Sequence, residues 1–248
     1  MIMRIQNSIY VRLIVVSPLL VLLFISCSAV NQVRTVGKGN TGMELTLGGP
    51  MMTNLGAPLP IPNFFAGVRY GLRQDLDIAG LFNITGPIIP GIFDVITGIY
   101  WVPLQPGLRT QSGTPHKGLG LGGSFMVQWI TDFQHGLVIY PAIECAGGWR
   151  YKWINPFIGI SLGLDFYRTN GKTPITQVNP FFGTEFMIKE RSSIGLKCTF
   201  YEVAYNFYGS QVEWVYLVNR SQEKKKYGVL GISLGYSYKF GRSKKKSK

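Results

Sequence analysis

The sequence predicts an all-β fold, an up-and-down antiparallel transmembrane β-barrel of about ten strands, with eight or twelve still open. Three observations lead there. Apolar and small residues alternate with a period of two along most of residues 42–240. The chain is 46% hydrophobic and only 15% charged, where a typical soluble domain carries about 25% charged residues. Beyond the N-terminus, no run reaches the ~18 apolar residues of a spanning helix. Such apolarity without long apolar runs needs either a large buried β core or a barrel whose outside meets lipid.

The first residues, "MIMRIQNSIYVRLIVVSPLLVLLFISCSAV", carry Arg4 and Arg12 ahead of an apolar stretch from Leu13 to Ile25. Small residues follow. This is the pattern of a secretory signal peptide over residues 1–26, to be set apart from the fold. "FISC" resembles the lipobox of bacterial lipoproteins, which implies Cys27 as a lipidated first residue, with Ser28 resembling lipoproteins sorted to the outer membrane. Phe24 departs from the aliphatic residue usual there, and cleavage after Ala29 is the alternative. Residues 27–41 then read as a periplasmic linker, 42–240 as the barrel and 241–248 as a basic tail.

Ten segments carry the alternation. "MELTLGG" sets Met43, Leu45 and Leu47 against Glu44 and Thr46. "FFAGVRYGL" sets Val68, Tyr70 and Leu72 against Gly67, Arg69 and Gly71. After a tight "RQD" turn, "LDIAGLFNI" sets Ile78 and Phe82 against Asp77 and Asn83. "GIFDVITGIYW" is less regular. "GLGLGGSFMVQW", "LVIYPAIECAGGWRY", "PFIGISLGLDFY", "PFFGTEFMI", "SIGLKCTFY" and "GVLGISLGYSYKF" complete the set. Most approach the ~9–11 residues of a tilted membrane strand. "QVEWVYLV" is a further uncertain candidate.

The small face decides which way the barrel is turned. A soluble barrel keeps its apolar face inside and its charges outside. Here the opposite face is mostly Gly, Ser and Thr, with isolated charges of both signs: Glu44, Arg69, Asp77, Glu144, Arg150, Asp165, Glu185 and Lys197. These suit a narrow polar lumen in which charges are paired. Trp101, Trp129, Trp149, Trp153, Tyr167 and Tyr201 fall near strand ends, as an aromatic girdle would. Cys145 and Cys198 lie on the apolar face of separate strands. A disulfide between them would need those strands adjacent, which a simple up-and-down order does not provide.

Connections alternate in length as in such barrels. Short turns at "RQD", "WIN" and "KERS" fall on the side of the N-terminus, and longer stretches at 49–63, 168–177 and 206–226 fall opposite. The connection 103–117 breaks the rule, so that either a strand is miscounted or this turn is unusual.

The final third resembles the transmembrane barrel of OmpA-type and related small outer-membrane proteins, through "VNPFFGTEFMIKERSSIGLKCTFYE" and the last strand. "VRYGLRQDLDIAGLF" resembles an earlier hairpin of the same kind. Ser233, Gly235, Tyr238 and Phe240 fill the places of the family's C-terminal assembly signal. The resemblance implies recognition by the barrel-assembly machinery, outer-membrane lipid as surroundings, and both termini in the periplasm. "GRSKKKSK" after Phe240 departs from relatives that stop near the aromatic. "NPFIG" (155–159) and "NPFFG" (179–183) form a short internal repeat, read as two strands opening with the same chemistry.

Little in the sequence suggests catalysis. "GLGLGG" (118–123) fits a nucleotide fingerprint literally, but it opens a strand where that motif must close one and open a helix. His135 lies three residues from Asp132 in "TDFQHG", a base and an orienting carboxylate in form, though a solvated turn accounts for it better. No catalytic residue, metal site or cofactor is expected. Net charge is +13, much of it in Lys224–Lys226 and the tail, short flanking clusters unlike a nucleic-acid face. The tail could touch acidic peptidoglycan or anionic lipid; the same run also reads as a solvated flank. The expected role is structural or loop-mediated binding, with a narrow solute channel second and an outer-leaflet lipid-modifying enzyme or protease third.

Overall fold

The structure is a computed structural model. It describes residues 34–52, 59–60, 63–88, 93–105, 118–131, 133, 137–151, 153–165, 175–189, 191–201 and 229–240.

Strands follow one another in hairpin order: β1 (Thr41–Met52), β2 (Leu59–Pro60), β3 (Asn63–Gly71), β4 (Leu76–Asn83), β5 (Phe93–Leu104), β6 (Leu119–Thr131), β7 (Leu137–Trp149), β8 (Ile154–Asp165), β9 (Ile175–Lys189), β10 (Ser192–Tyr201) and β11 (Val229–Phe240). Each pairs antiparallel with its neighbour, and β11 pairs with β1 from Thr41↔Phe240 to Pro50↔Gly231. That last pairing closes the sheet. β2 is a two-residue extension against Met51 and Met52, leaving ten strands in the wall. Closure removes every open edge, which is the physical requirement for a sheet that must satisfy its own backbone.

All ten predicted segments are wall strands, and "QVEWVYLV" lies outside the described residues. The strand count therefore stands, and the connection between β5 and β6 is the unusual turn. It leaves and re-enters the barrel at the mouth that also holds residue 41, Phe240 and the short turns 72–75 and 150–153. We call this the proximal mouth and the opposite one distal.

Six of the strand residues are prolines, and three of them, Pro141, Pro156 and Pro180, lie inside β7, β8 and β9, where a missing N–H would ordinarily break a ladder. Their positions explain why none does. Pro141 pairs with Val127 of β6, while pairing of β7 with β8 begins only at Ala142. Pro156 pairs with Thr184 of β9, while the described pairing with β7 ends at Phe157. Pro180 pairs with Ile160 of β8, while the β10 ladder ends at Phe181. Each proline occupies the step where the staggered strands of a tilted barrel part company on one side.

The outer face is dominated by apolar side chains. Val68, Ile78, Ile99, Phe125, Ile143, Ile158, Leu162, Phe182, Leu196 and Leu230 are all exposed, Ile158 by 69%. Cys145 and Cys198 lie among them as free thiols, on strands separated by β8 and β9. The inner face is buried and mixed. Among the described residues no helix is long and apolar enough to cross a membrane, which says nothing of strands.

Candidate functional site: the barrel lumen and its proximal mouth

The lumen is built by the alternate residues of each strand, and glycine makes room for what fills it. In the β1–β3 register Arg69 stands opposite Gly42 and Glu44 opposite Gly67. The long side chains cross in the space so left, and Arg69 Nη1 donates to Glu44 Oε1 at 2.7 Å. Arg69 Nε lies 3.4 Å from Asp77 Oδ2, and the guanidinium carbon sits 4.1 Å from the centroid of the Tyr100 ring. All four side chains are buried. A buried arginine between two carboxylates and an aromatic face has its charge compensated on every side.

A second group lies towards the distal half. Lys197 Nζ is 3.5 Å from Glu144 Oε1 and 3.9 Å from the Phe181 ring centroid. Beyond it, Asp94 Oδ1 accepts from Gln128 Nε2 at 2.8 Å and Asp94 Oδ2 from Asn83 Nδ2 at 3.2 Å. Asn83 Oδ1 in turn accepts from the backbone N–H of Thr85 and of Gly86. It thereby caps the single helical turn Thr85–Ile88.

At the proximal mouth, residues 34–40 fold back into the opening. The Val36 N–H donates to Asp77 Oδ2 at 2.8 Å, and the Thr35 N–H to Gln105 Oε1 at 3.2 Å. Gly39 N–H donates to the Gly71 carbonyl, and Gly71 N–H to that of Asn40. Gly37 and Gly39 take positive φ, 77° and 71°, a turn that glycine makes without strain. Gly71 has no room for a Cβ because the Gly37 carbonyl lies against it. From this strap Arg34 Nη2 reaches Glu185 Oε1 at 2.8 Å and Ser193 Oγ at 3.3 Å. Glu185 Oε2 also accepts from Asn155 Nδ2.

Of the eight charged residues predicted for the lumen, the structure brings Glu44, Arg69 and Asp77 into one cluster and Glu144 with Lys197 into another. Glu185 joins Arg34 in a third contact. Arg150 follows β7 at the proximal mouth, partly exposed, with its N–H on the Gly118 carbonyl. The Asp165 side chain, like His135, Asp132, Tyr167 and Cys27, lies outside the described residues. Ser233 and Gly235 face inward and are buried on β11, and Phe240 ends that strand exposed at the mouth.

Sequence reasoning missed the bulky part of the lumen: Phe65, Leu81, Tyr100, Met126, Phe157 and Phe181 are buried inside. Parity alone could have found most of them. Phe157 shares the face of Gly159 and Ser161, and Tyr100 that of Asp94 and Gly98. Arg34 carried no such signal, since it precedes the first strand.

Two aromatic rims bound the outer face. Trp101, Trp149, Tyr151, Trp153 and Phe240 are exposed at the proximal end, and Phe93 meets both Phe82 and Phe133 at the distal end. From Phe93 to Trp101 the strand runs about 26 Å at ~3.3 Å per residue. A tilt of about 40° shortens that to roughly 20 Å along the axis, near the ~25 Å apolar band of outer-membrane barrels. Apolar outside, charged inside, closed and rimmed with aromatics, this sheet is turned inside out relative to a soluble barrel.

The chain is a membrane-type β-barrel.

No family description and no curated protein matches it. Solved structures do. The N-terminal β-barrel domain of Pseudomonas aeruginosa OprF aligns over 82% of this chain and 99% of its own, at 9% identity and a TM-score of 0.32. OmpT, an outer membrane protein of Vibrio cholerae, aligns over 75% of this chain and 58% of its own, at 10% identity and 0.30. Ail, the attachment invasion locus protein of Yersinia pestis, aligns over 82% and 99%, at 11% identity and 0.26. Likeness this loose leaves the barrel's role to its own geometry. Among the described residues, no group of three His, Cys, Asp or Glu side chains stands close enough to hold a metal ion.

Proposed function

We propose that this chain is an outer-membrane protein whose barrel is a filled scaffold for its distal loops, and that its role is structural or loop-mediated binding. The filled lumen is the observation that supports this reading. Arg69, Tyr100, Phe157, Phe181 and Lys197 fill the interior from five strands of the wall, and the strap folds into the proximal mouth. Open aqueous channels belong to barrels of about 16–18 strands, whereas interiors near eight strands are filled by side chains. On this reading the proximal mouth, with residue 41 and Phe240, faces the periplasm, and the distal mouth faces outward. Lipidation at Cys27 and reading of the terminal strand by the assembly machinery belong to the same proposal.

Planar-bilayer conductance of the folded chain tests it. The expected result is a protein that migrates differently on unboiled and boiled gels and gives no discrete current steps. Steps in the parent protein would replace the scaffold by the narrow solute channel. Release by a carbonate wash with no shift on heating would remove the protein from the membrane altogether.

A further inference from the structure

We propose that the proximal mouth holds a binding site for a phosphate-type oxyanion, assembled by the N-terminal strap, the β9–β10 turn and the end of β11. A recess of about 340 Å³, counting its open side, is lined there by Arg34, Gly42, Arg191, Ser237 and Lys239 among others. Among the described residues four cations surround it, Arg34, Arg69, Arg191 and Lys239, against three carboxylates already engaged. Glu185 holds Arg34, Glu44 holds Arg69, and Asp77 is shared by Arg69 and the Val36 N–H. Arg191 and Lys239 have no ion pair among the described residues, yet both are partly buried. Lys239 Nζ points towards the strap at Gly37. Arg34 Nε, buried and without an acceptor among the described residues, is a further donor at the same place.

Like charges gathered in a half-buried recess raise the free energy of the empty site, and an anion relieves it. The donors come from three separate pieces of chain. A carboxylate matches a single arginine fork, whereas a tetrahedral phosphate offers oxygens in several directions and up to two charges. The site lies at the mouth opposite the distal loops and does not rest on their role. The phosphate could be free, or the headgroup of a phospholipid in the adjoining leaflet.

The test uses the folded full-length chain in neutral detergent, titrated with inorganic phosphate at constant ionic strength. Calorimetry and the midpoint of heat unfolding are read together. A saturable heat and a raised midpoint that chloride does not reproduce are expected. Lys239→Gln and Arg191→Gln should each weaken binding by about tenfold or more, the loss of a charge-assisted hydrogen bond, while unboiled migration still reports a closed barrel. A response shared equally by chloride overturns the site, as does a closed variant that binds phosphate like the parent. Should a variant fail to close, the phosphate-against-chloride comparison on the parent still decides. Competition by phosphatidylglycerol but not phosphatidylcholine in mixed micelles assigns the site to a lipid headgroup; phosphate binding without that competition assigns it to free phosphate.

Discussion

Phe157 and Phe181 meet inside the barrel with ring centroids 6.4 Å apart, edge towards face. Each stands opposite the other's glycine: Phe157 pairs with Gly183, and Phe181 with Gly159. This reciprocity gives the repeat "NPFIG" and "NPFFG" its physical meaning. The two copies run antiparallel on adjacent strands, so Asn faces in, Pro ends a ladder on one side, and Phe fills the space the partner's glycine vacates.

Gly159→Val should therefore destabilise the barrel. A Cβ there meets the Phe181 ring and the Cys145 carbonyl. Overpacking of this kind costs about 1–3 kcal/mol. The heat-unfolding midpoint should fall, and Phe181→Ala in the same chain should restore only part of it, since the backbone clash stays.

Phe157→Ala with Phe181→Ala empties the centre of the lumen. Each truncation alone costs about 3–5 kcal/mol, and the pair should deviate from additivity because the rings touch. Conductance absent from the parent should appear in the double variant. A closed double variant that remains silent would show that other side chains suffice to block the lumen.

Arg69→Met leaves Glu44 and Asp77 buried without their guanidinium. The expected loss is about 3–5 kcal/mol, as for other buried pairs broken from one side. Adding Glu44→Gln should recover part of it, and a double-mutant cycle on the unfolding midpoint measures the coupling.

Ile158→Arg probes the outer face near the middle of β8. On a soluble surface a side chain 69% exposed tolerates a charge with little effect. Facing lipid near the bilayer midplane, arginine costs about 2–4 kcal/mol. Folding yield into phospholipid vesicles separates the two cases.

Asp75, in the turn between β3 and β4, accepts from Arg73 Nη2 at 2.7 Å and from Trp101 Nε1 at 3.1 Å. The bond from Arg73 holds its carboxyl below the ordinary carboxylate range. The unfolded chain thus binds the proton first as pH falls. The contribution is complete above the unfolded pKa and is lost as pH drops through the lower folded one. Asp75→Asn should lower the unfolding midpoint slightly at neutral pH, with the gap closing towards pH ~3. A gap that stays constant with pH would assign the effect to packing of Trp101 alone.

Period-two alternation marked the wall strands, β5 least regularly, and which face of each is apolar, because a pleated strand sends neighbouring side chains to opposite sides whatever surrounds it. Closure of β11 on β1 settled their number. The single irregular connection, 105–118, could not be placed from length alone; the β5–β6 register puts it at the proximal mouth. Only the tertiary structure decided who meets whom inside. Arg34 finds Glu185 across 151 residues, and Lys197 finds Glu144, because closure of β11 on β1 and the stagger of the strands set the level of every inward side chain. A local pattern records the face of a residue. Its height in the barrel, and so its partner, depends on all ten registers at once.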